Sequence, residues 1–416
     1  MSMRKNVFED NPFDERFYGW GCEDVELGYR LHKAGYRTVM DRECMGFHLP
    51  HDTKQGRDNM ESLMDGMEMM YQIHSDDDMR ECIIDRCEHL PDKFKDIPLA
   101  HLGIRRILKP NIEEIMIEVT NRCLLDCPCC CQEDKSRVEK RDMTLEEFKN
   151  IAMQANALSQ ETPPEINFCG LGEPLMNKHF IDMVRFLKEN GMAYTLSTNG
   201  MLMGKEVIEA LVSTGAKEVK VSLDAVNSES YSVYRVGGNF DRVISNIREF
   251  AGKKGKNTTL TIQMLVMSHN ESSINDFIRM GKDMGADIAK IKSIFITSPE
   301  HAGLLPKSHN YLRYTKYPTL VRKTDSCRWV DRKMYINSDG TVMPCCFAEH
   351  NSYYVMGNAF DSSLKQILES RTYKEFKAAI REDVDNKELC SRCHQAAIEC
   401  TTKDIILSDL SNPDQK

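Results

Sequence analysis

The sequence has no apolar run long enough to cross a bilayer, so no membrane span is expected. Its first residues, MSMRKNVFEDNPFDERF, lack the continuous apolar core of a signal peptide. Basic charge is in short supply: 55 Lys and Arg stand against 64 Asp and Glu, a formal net charge of −9. Neutralising a phosphate backbone takes a clustered Lys/Arg excess, so no nucleic-acid partner is expected either. No solenoid-type repeat is visible. These absences point to a cytoplasmic protein, and 416 residues are enough for two or three domains with cores of their own.

Cysteine is nearly missing from the middle of the chain, where Cys169 is the only thiol between Cys131 and Cys327. It is crowded on either side. Five of the sixteen cysteines fall between Cys123 and Cys131, and six lie beyond residue 320. A disulfide framework is not expected in a reducing compartment, and crowded thiols oxidise and exchange, so each island needs a chemical reason. Two islands suggest two metal centres. The scattered Cys22, Cys44, Cys82 and Cys87 read as small buried hydrophobes.

From about residue 113 strands and helices alternate. EIMIEVT, EINFCG, AYTLST, EVKVSL, TLTIQMLVM and IAKIKSIFI are short apolar runs rich in β-branched residues, with amphipathic helices between them. Thr144 and Glu147 form a capping box, and Gly191 and Gly215 stand where helices should end. Six βα units predict a parallel sheet curled into a partial (β/α)6 barrel, with chemistry at the C-terminal strand ends. MESLMDGMEMMYQIH, upstream, reads as a helix whose Met stripe packs.

Cys123, Cys127 and Cys130 lie on the loop after the first strand, spaced C-x3-C-x2-C. Three thiolates can hold three irons of a 4Fe–4S cubane and leave the fourth open to another ligand. A structural zinc site wants four, and Cys129 or Cys131 could supply the fourth. The next strand ends carry Gly170-Leu171-Gly172-Glu173-Pro174, then Ser197-Thr198-Asn199-Gly200, then Ser222-Leu223-Asp224. Singly these read as a turn, a loop and a helix cap. Together and in this order, over about residues 113 to 300, the chain resembles the radical S-adenosylmethionine (radical SAM) superfamily.

The resemblance implies that Cys123, Cys127 and Cys130 hold a SAM-binding 4Fe–4S cluster. It implies that Gly170, Gly172, Glu173 and Pro174 contact the methionine amino group, and that Ser197, Thr198 and Asn199 lie near the SAM ribose. Ser222 and Asp224 would supply further polar contacts to SAM. The implied chemistry is reductive cleavage of SAM to a 5′-deoxyadenosyl radical, which takes a hydrogen atom from the substrate. The family usually has a bulky apolar residue just before the third cysteine; here it is Cys129.

In the second island, Cys327, Gly340 and Cys345 are spaced C-x12-G-x4-C, and Cys390 and Cys393 form a C-x2-C pair. On spacing alone a zinc ribbon competes. With NSDGTVMPCC and MGNAF the segment is similar to the twitch form of the SPASM extension, in a spacing like that of a cyclitol-dehydrogenating twitch enzyme. By that resemblance Cys327, Cys345, Cys390 and Cys393 ligate one auxiliary 4Fe–4S cluster, leaving Cys346 and Cys400 unassigned.

Residues 12 to 51, with PFDERFYGWGCEDVELGYRLHKAGYRTVM and GFHLPH, resemble the C-terminal part of a family 2-type (GT-A) glycosyltransferase. The resemblance matches Glu23 and Asp24 to the acceptor-site acidic pair and His48 or His51 to a metal-holding histidine. No nucleotide-binding half with a DxD motif precedes them, and Asp76-Asp77-Asp78 lies downstream, so unaided sugar transfer is not expected.

The expected organisation is a glycosyltransferase-like α+β fragment over 1–90, a linker over 91–112, a radical SAM barrel over 113–315 and a twitch/SPASM-type domain over 316–416. The expected function is oxidation of a sugar, cyclitol or glycan-linked substrate, with an electron donor such as flavodoxin or ferredoxin. Epimerisation is the alternative, with Cys169 or Cys400 as the catalytic hydrogen-atom donor. A peptide-modifying maturase, a glycosyltransferase with an accessory barrel and a zinc-stabilised scaffold rank below.

Overall fold

The structure, a computed structural model, describes residues 7, 11–16, 22–36, 66–67, 69–70, 73–74, 112–130, 139–158, 163–296, 299–312, 314–316, 319–320, 327, 329–330, 332–348, 352–383, 387–391, 393 and 402–409. They belong to two compact units, 1–110 and 111–416.

In the first unit, helix α1 (Glu23–Lys33) buries Leu27 and Leu31. Asp24 is exposed, whereas Glu26 is fully buried and its Oε1 receives Arg30 at 2.7 Å and meets His74 at 2.9 Å. The acid that the interior commits is therefore Glu26. Met67 and Met70 are fully buried, as is Cys22, so the Met stripe packs. His48, His51, Cys44, Cys82 and Cys87 lie outside the described residues.

The second unit begins with the six strands that the apolar runs predict: β1 (Glu114–Ile117), β2 (Glu165–Phe168), β3 (Tyr194–Thr198), β4 (Glu218–Ser222), β5 (Thr259–Val266) and β6 (Ile288–Ser293). Each pairs in parallel with the next. Between them run α2 (Leu145–Leu158), α3 (Phe180–Glu189), α4 (Lys205–Thr214), α5 (Ser228–Tyr234), α6 (Phe240–Lys253) and α7 (Ile274–Asp283). The capping box forms at the start of α2, with Thr144 N–H donating to Glu147 at 2.8 Å and Glu147 N–H to Thr144 Oγ1 at 3.3 Å. Phe148, Phe168, Phe180 and Tyr194 stack or meet edge-on under the first three strands, which fixes α2 and α3 against the sheet.

Beyond β6 come a small hairpin, β7 (Tyr314–Lys316) and β8 (Thr319–Leu320), then β9 (Lys333–Ile336), β10 (Thr341–Met343) and β11 (Gly357–Asn358). Helices α8 (Leu364–Glu369), α9 (Arg371–Glu382) and α10 (Glu388–Ser391) follow, and β12 (Thr402–Ile406) is the last described strand. The sheet does not close. On its outer side β1 pairs in parallel with β9, Ile117 opposite Ile336, and β6 takes β12 antiparallel. The partial barrel is thus an open ten-stranded sheet in the order β11-β10-β9-β1-β2-β3-β4-β5-β6-β12. The C-terminal segment is joined to the edge that carries the cysteine loop. No helix among the described residues is long and apolar enough to cross a membrane.

Asn177 ties the first two βα loops together. It is buried, and its amide donates to Val119 O at 2.7 Å and Met143 O at 2.8 Å while Oδ1 accepts from His179 N–H at 2.9 Å. Asn177→Ala would leave these buried groups unpaired and should cost about 2 kcal/mol or more, read as a lower denaturant midpoint at unchanged slope. A shift below about 0.5 kcal/mol would show that the loops are held otherwise.

Candidate functional site

The loop after β1 is anchored before it reaches its cysteines. Thr120 Oγ1 donates to Asp142 at 2.6 Å, and Asn121 exchanges hydrogen bonds with Glu139 O and Arg141 N–H, both at 2.8 Å. Cys123, Cys127 and Cys130 then lie half-buried, in a turn closed by Cys130 N–H to Cys127 O at 3.1 Å. Cys123 Sγ accepts from Leu125 N–H at 3.4 Å and faces Asn199 Nδ2 at 3.9 Å. Cys127 Sγ accepts from Arg235 Nη1 at 3.6 Å. Burial pushes the Cys123 thiol above its ordinary range, partly offset by the Leu125 N–H. Such donors favour thiolates, the form that ligates metal.

The loop after β2 leans on the cysteine loop backbone to backbone. A Cβ on Gly172 would stand 1.9 Å from Thr120 O and 2.8 Å from Arg122 O, so only glycine fits. Glu173 N–H donates to Arg122 O at 2.7 Å. The Glu173 side chain, 2% exposed, reaches sideways to the β3 loop: Oε1 accepts from Thr198 Oγ1 and Oε2 from Asn199 N–H, each at 2.7 Å, with Leu175 N–H at 3.2 Å. Burial raises the Glu173 carboxyl's affinity for its proton, and these bonds oppose the rise. Pro174 is buried at the start of a 3-10 turn. Cys169 and Ser197 are half-buried at the ends of β2 and β3.

Ser222 is half-buried at the end of β4. Asp224 has φ +61° and is 1% exposed. Its Oδ2 accepts from Arg235 Nε at 2.6 Å and its Oδ1 from Leu265 N–H at 2.6 Å, while Asn270 donates to its carbonyl at 2.8 Å. Its carboxylate is therefore committed to Arg235 and β5, and what it presents towards the cysteine loop is the guanidinium. Burial works against the Arg235 charge, but Asp224, then Cys127, more than offset it and hold the group protonated. Arg235 escapes the sequence reading because it sits just past α5, outside every strand-end motif. Cys129, by contrast, is 4% exposed and packs with Tyr234, Met267, Ile294 and Ile296, taking the place of the expected apolar residue. Cys131 lies outside the described residues.

In the C-terminal segment Cys345 follows β10, and burial above all, with smaller contributions from Cys393 and Cys327, pushes its thiol up to about 12. Cys390 lies one turn before Cys393, whose N–H donates to Cys390 O at 3.1 Å. A buried thiol of that kind ionises against a bound cation, whose charge reverses the local preference. Among the described residues no three His, Cys, Asp or Glu side chains are close enough to share one metal ion. The donors, half-buried thiols on separate segments with Cys345 after β10 and Cys390 and Cys393 at and just past α10, are the soft ligands that an iron–sulfur cluster takes. Cys346 is half-buried beside Cys345; Cys400 lies outside the described residues.

The radical SAM superfamily profile matches residues 117–281, and the profile of the SPASM iron–sulfur cluster-binding domain matches residues 327–394. The chain carries a radical SAM domain followed by a SPASM domain. It is 26% identical over 300 residues, 63% of this chain and 82% of the relative, to the tungsten-containing aldehyde ferredoxin oxidoreductase cofactor-modifying protein of Pyrococcus furiosus. It is 32% identical over 185 residues to the GTP 3′,8-cyclase of Peptoclostridium acidaminophilum, of which it spans 55%. In fold it is similar to Streptococcus suis SuiB bound to S-adenosylmethionine, with a TM-score of 0.55, 17% identity, and coverage of 82% of this chain and 83% of SuiB. The two domains imply a SAM-binding 4Fe–4S cluster and auxiliary iron–sulfur. Neither matched range includes residues 1–110, and the comparisons lend the glycosyltransferase resemblance no support.

Within the radical SAM domain the Asp224–Arg235 pair is a buried ion pair, with side chains 1% and 12% exposed. Removing one partner of such a pair strands the other. Arg235→Ala should therefore cost about 3–5 kcal/mol, and adding Asp224→Asn should recover part of it. Equilibrium unfolding of the four proteins measures this, and a cost below about 1 kcal/mol would remove the pair from the site's framework.

Proposed function

We infer that this radical SAM enzyme oxidises its substrate, with one auxiliary cluster held by Cys327, Cys345, Cys390 and Cys393 taking the electron that the substrate radical gives up. When bound, the Cys123, Cys127 and Cys130 cluster and SAM together supply a 5′-deoxyadenosyl radical. The chain's own part is positioning. Asn199 and Arg235 hold the Cys123 and Cys127 thiolates, Gly172 brings the loop after β2 against them, and Glu173 locks that loop to the end of β3. The reading is supported above all by the match of residues 327–394, a range that contains all four cysteines, to the SPASM iron–sulfur cluster-binding domain. A centre ligated by four cysteines has no open iron for substrate, which favours electron transfer over binding. Reduction of the first cluster calls for a donor such as flavodoxin or ferredoxin.

A sugar, cyclitol or glycan-linked substrate rests on the resemblance of residues 12–51 and on the cysteine spacing of the C-terminal segment. A peptide is the second reading for the substrate. Epimerisation is the alternative outcome, in which Cys169, half-buried at the end of β2, or Cys400 would return a hydrogen atom.

Anaerobically reconstituted protein should hold about eight iron and eight sulfide per chain, the content of two cubanes. Replacing Cys327, Cys345, Cys390 and Cys393 together by Ala should bring both to about four. An unchanged iron content would remove the auxiliary assignment. With a substrate in hand, turnover in deuterated water separates the two outcomes. Oxidation leaves a product two electrons poorer, whereas solvent deuterium at the reacting carbon with no change in oxidation state, abolished by Cys169→Ala, would establish epimerisation.

A further inference from the structure

Glu118 lies one residue beyond β1, is 1% exposed and belongs to none of the motifs. Its two oxygens are held by different parts of the chain. Oε2 accepts from Leu171 N–H at 3.1 Å, in the loop that runs on to Gly172 and Glu173. Oε1 accepts from the Ser338 hydroxyl at 2.9 Å and its N–H at 3.3 Å, in the turn between β9 and β10. The Tyr335 hydroxyl donates to Oε2 at 3.4 Å, and Glu118 N–H donates to Ile336 O at 2.9 Å.

There is no slack in this junction. A Cβ on Gly170 would stand 2.7 Å from Glu118 Cβ and 2.8 Å from Tyr335 Oη. Tyr335 in turn is fully buried in a small cluster with Met343 and Ala348, against which Cys345 and Cys346 pack. A continuous line of packing and hydrogen bonds therefore leads from Cys345 through the Tyr335 cluster and Glu118 to the Leu171 amide. A buried carboxylate with this many donors cannot swing away without stranding its charge, so a displacement at Ser338 or Tyr335 is felt at Leu171.

We propose that Glu118 is a positioning residue that couples the auxiliary site to the SAM loop, so that an occupied auxiliary site tightens SAM binding at the first cluster. This rests on the reading that the Cys345 site holds a cluster and that the loop after β2 binds SAM. Coupling of this kind is reciprocal: SAM binding also stabilises the auxiliary site.

The test titrates full-length reconstituted, dithionite-reduced protein with SAM and follows the change in the electron paramagnetic resonance spectrum of the first cluster. Cys345→Ala and Glu118→Gln should each weaken SAM binding by about fivefold or more. The double variant should be no weaker than Glu118→Gln alone, because the path is already cut. Unchanged affinity in Cys345→Ala with the first cluster intact, or effects that multiply in the double variant, would overturn the proposal. Tyr335→Phe and Ser338→Ala, each removing one donor, serve in the same cycle if Glu118→Gln does not fold. A wild-type protein that binds no SAM would refute the functional reading instead. Amide exchange then decides the coupling by itself: in the cluster-free chain the peptide carrying Leu171 should exchange faster in Ser338→Ala than in wild type, and equal exchange would overturn it.

Discussion

The close approach of Gly172 to the Thr120 carbonyl is the constraint on which the rest of the site depends. Two loops from neighbouring strands meet there with no room for a side chain, and Glu173 N–H to Arg122 O closes the contact. The cysteine loop is thereby pressed against the loop after β2. A three-cysteine loop is otherwise a flexible connection whose thiols would visit many arrangements at an entropic cost on binding metal. The contact removes much of that freedom in advance.

Buried polar groups extend the same frame outward. Glu173 fastens the β2 loop to the β3 loop, Asp224 fastens the end of β4 to β5 and carries Arg235, and Glu118 fastens β1 to the turn after β9. Each is a carboxylate with at most 2% exposure, and each is satisfied by several N–H or O–H donors, which is what makes burial of the charge tolerable. The thiolates gain from the ends of this frame. Asn199, oriented through Glu173, faces Cys123; Arg235, oriented through Asp224, meets Cys127. The sheet sets the strand ends and the carboxylates set the side chains.

Much of this was legible in the sequence, and what escaped has a common cause. The six strands show as β-branched runs, and the capping box at Thr144 is a local pattern that forms as written. The strand-end motifs show because glycine and proline mark tight loops. Arg235, Glu118 and Ser338 do not show, because each acts on a partner far away in the chain: Arg235 to Cys127 spans 108 residues and Ser338 to Glu118 spans 220. Spacing rules see only near neighbours. Nor does the sequence show that the Asp224 oxygens go to Arg235 and Leu265, a choice made by tertiary packing. Counting βα units points to a partial barrel; that β9 and β12 lie outside β1 and β6 in the sheet depends on segments beyond 330, whose short strands carry little periodic signal.

SAM cleavage is proposed at the loop bearing Cys123, Cys127 and Cys130. It is tested most directly by 5′-deoxyadenosine formation under dithionite, comparing the intact chain with a variant in which these three cysteines are Ala. The expected result is formation by the intact chain and none by the variant, whose auxiliary iron persists. Continued formation of 5′-deoxyadenosine by the variant would contradict the claim and move the chemistry to the C-terminal cysteines.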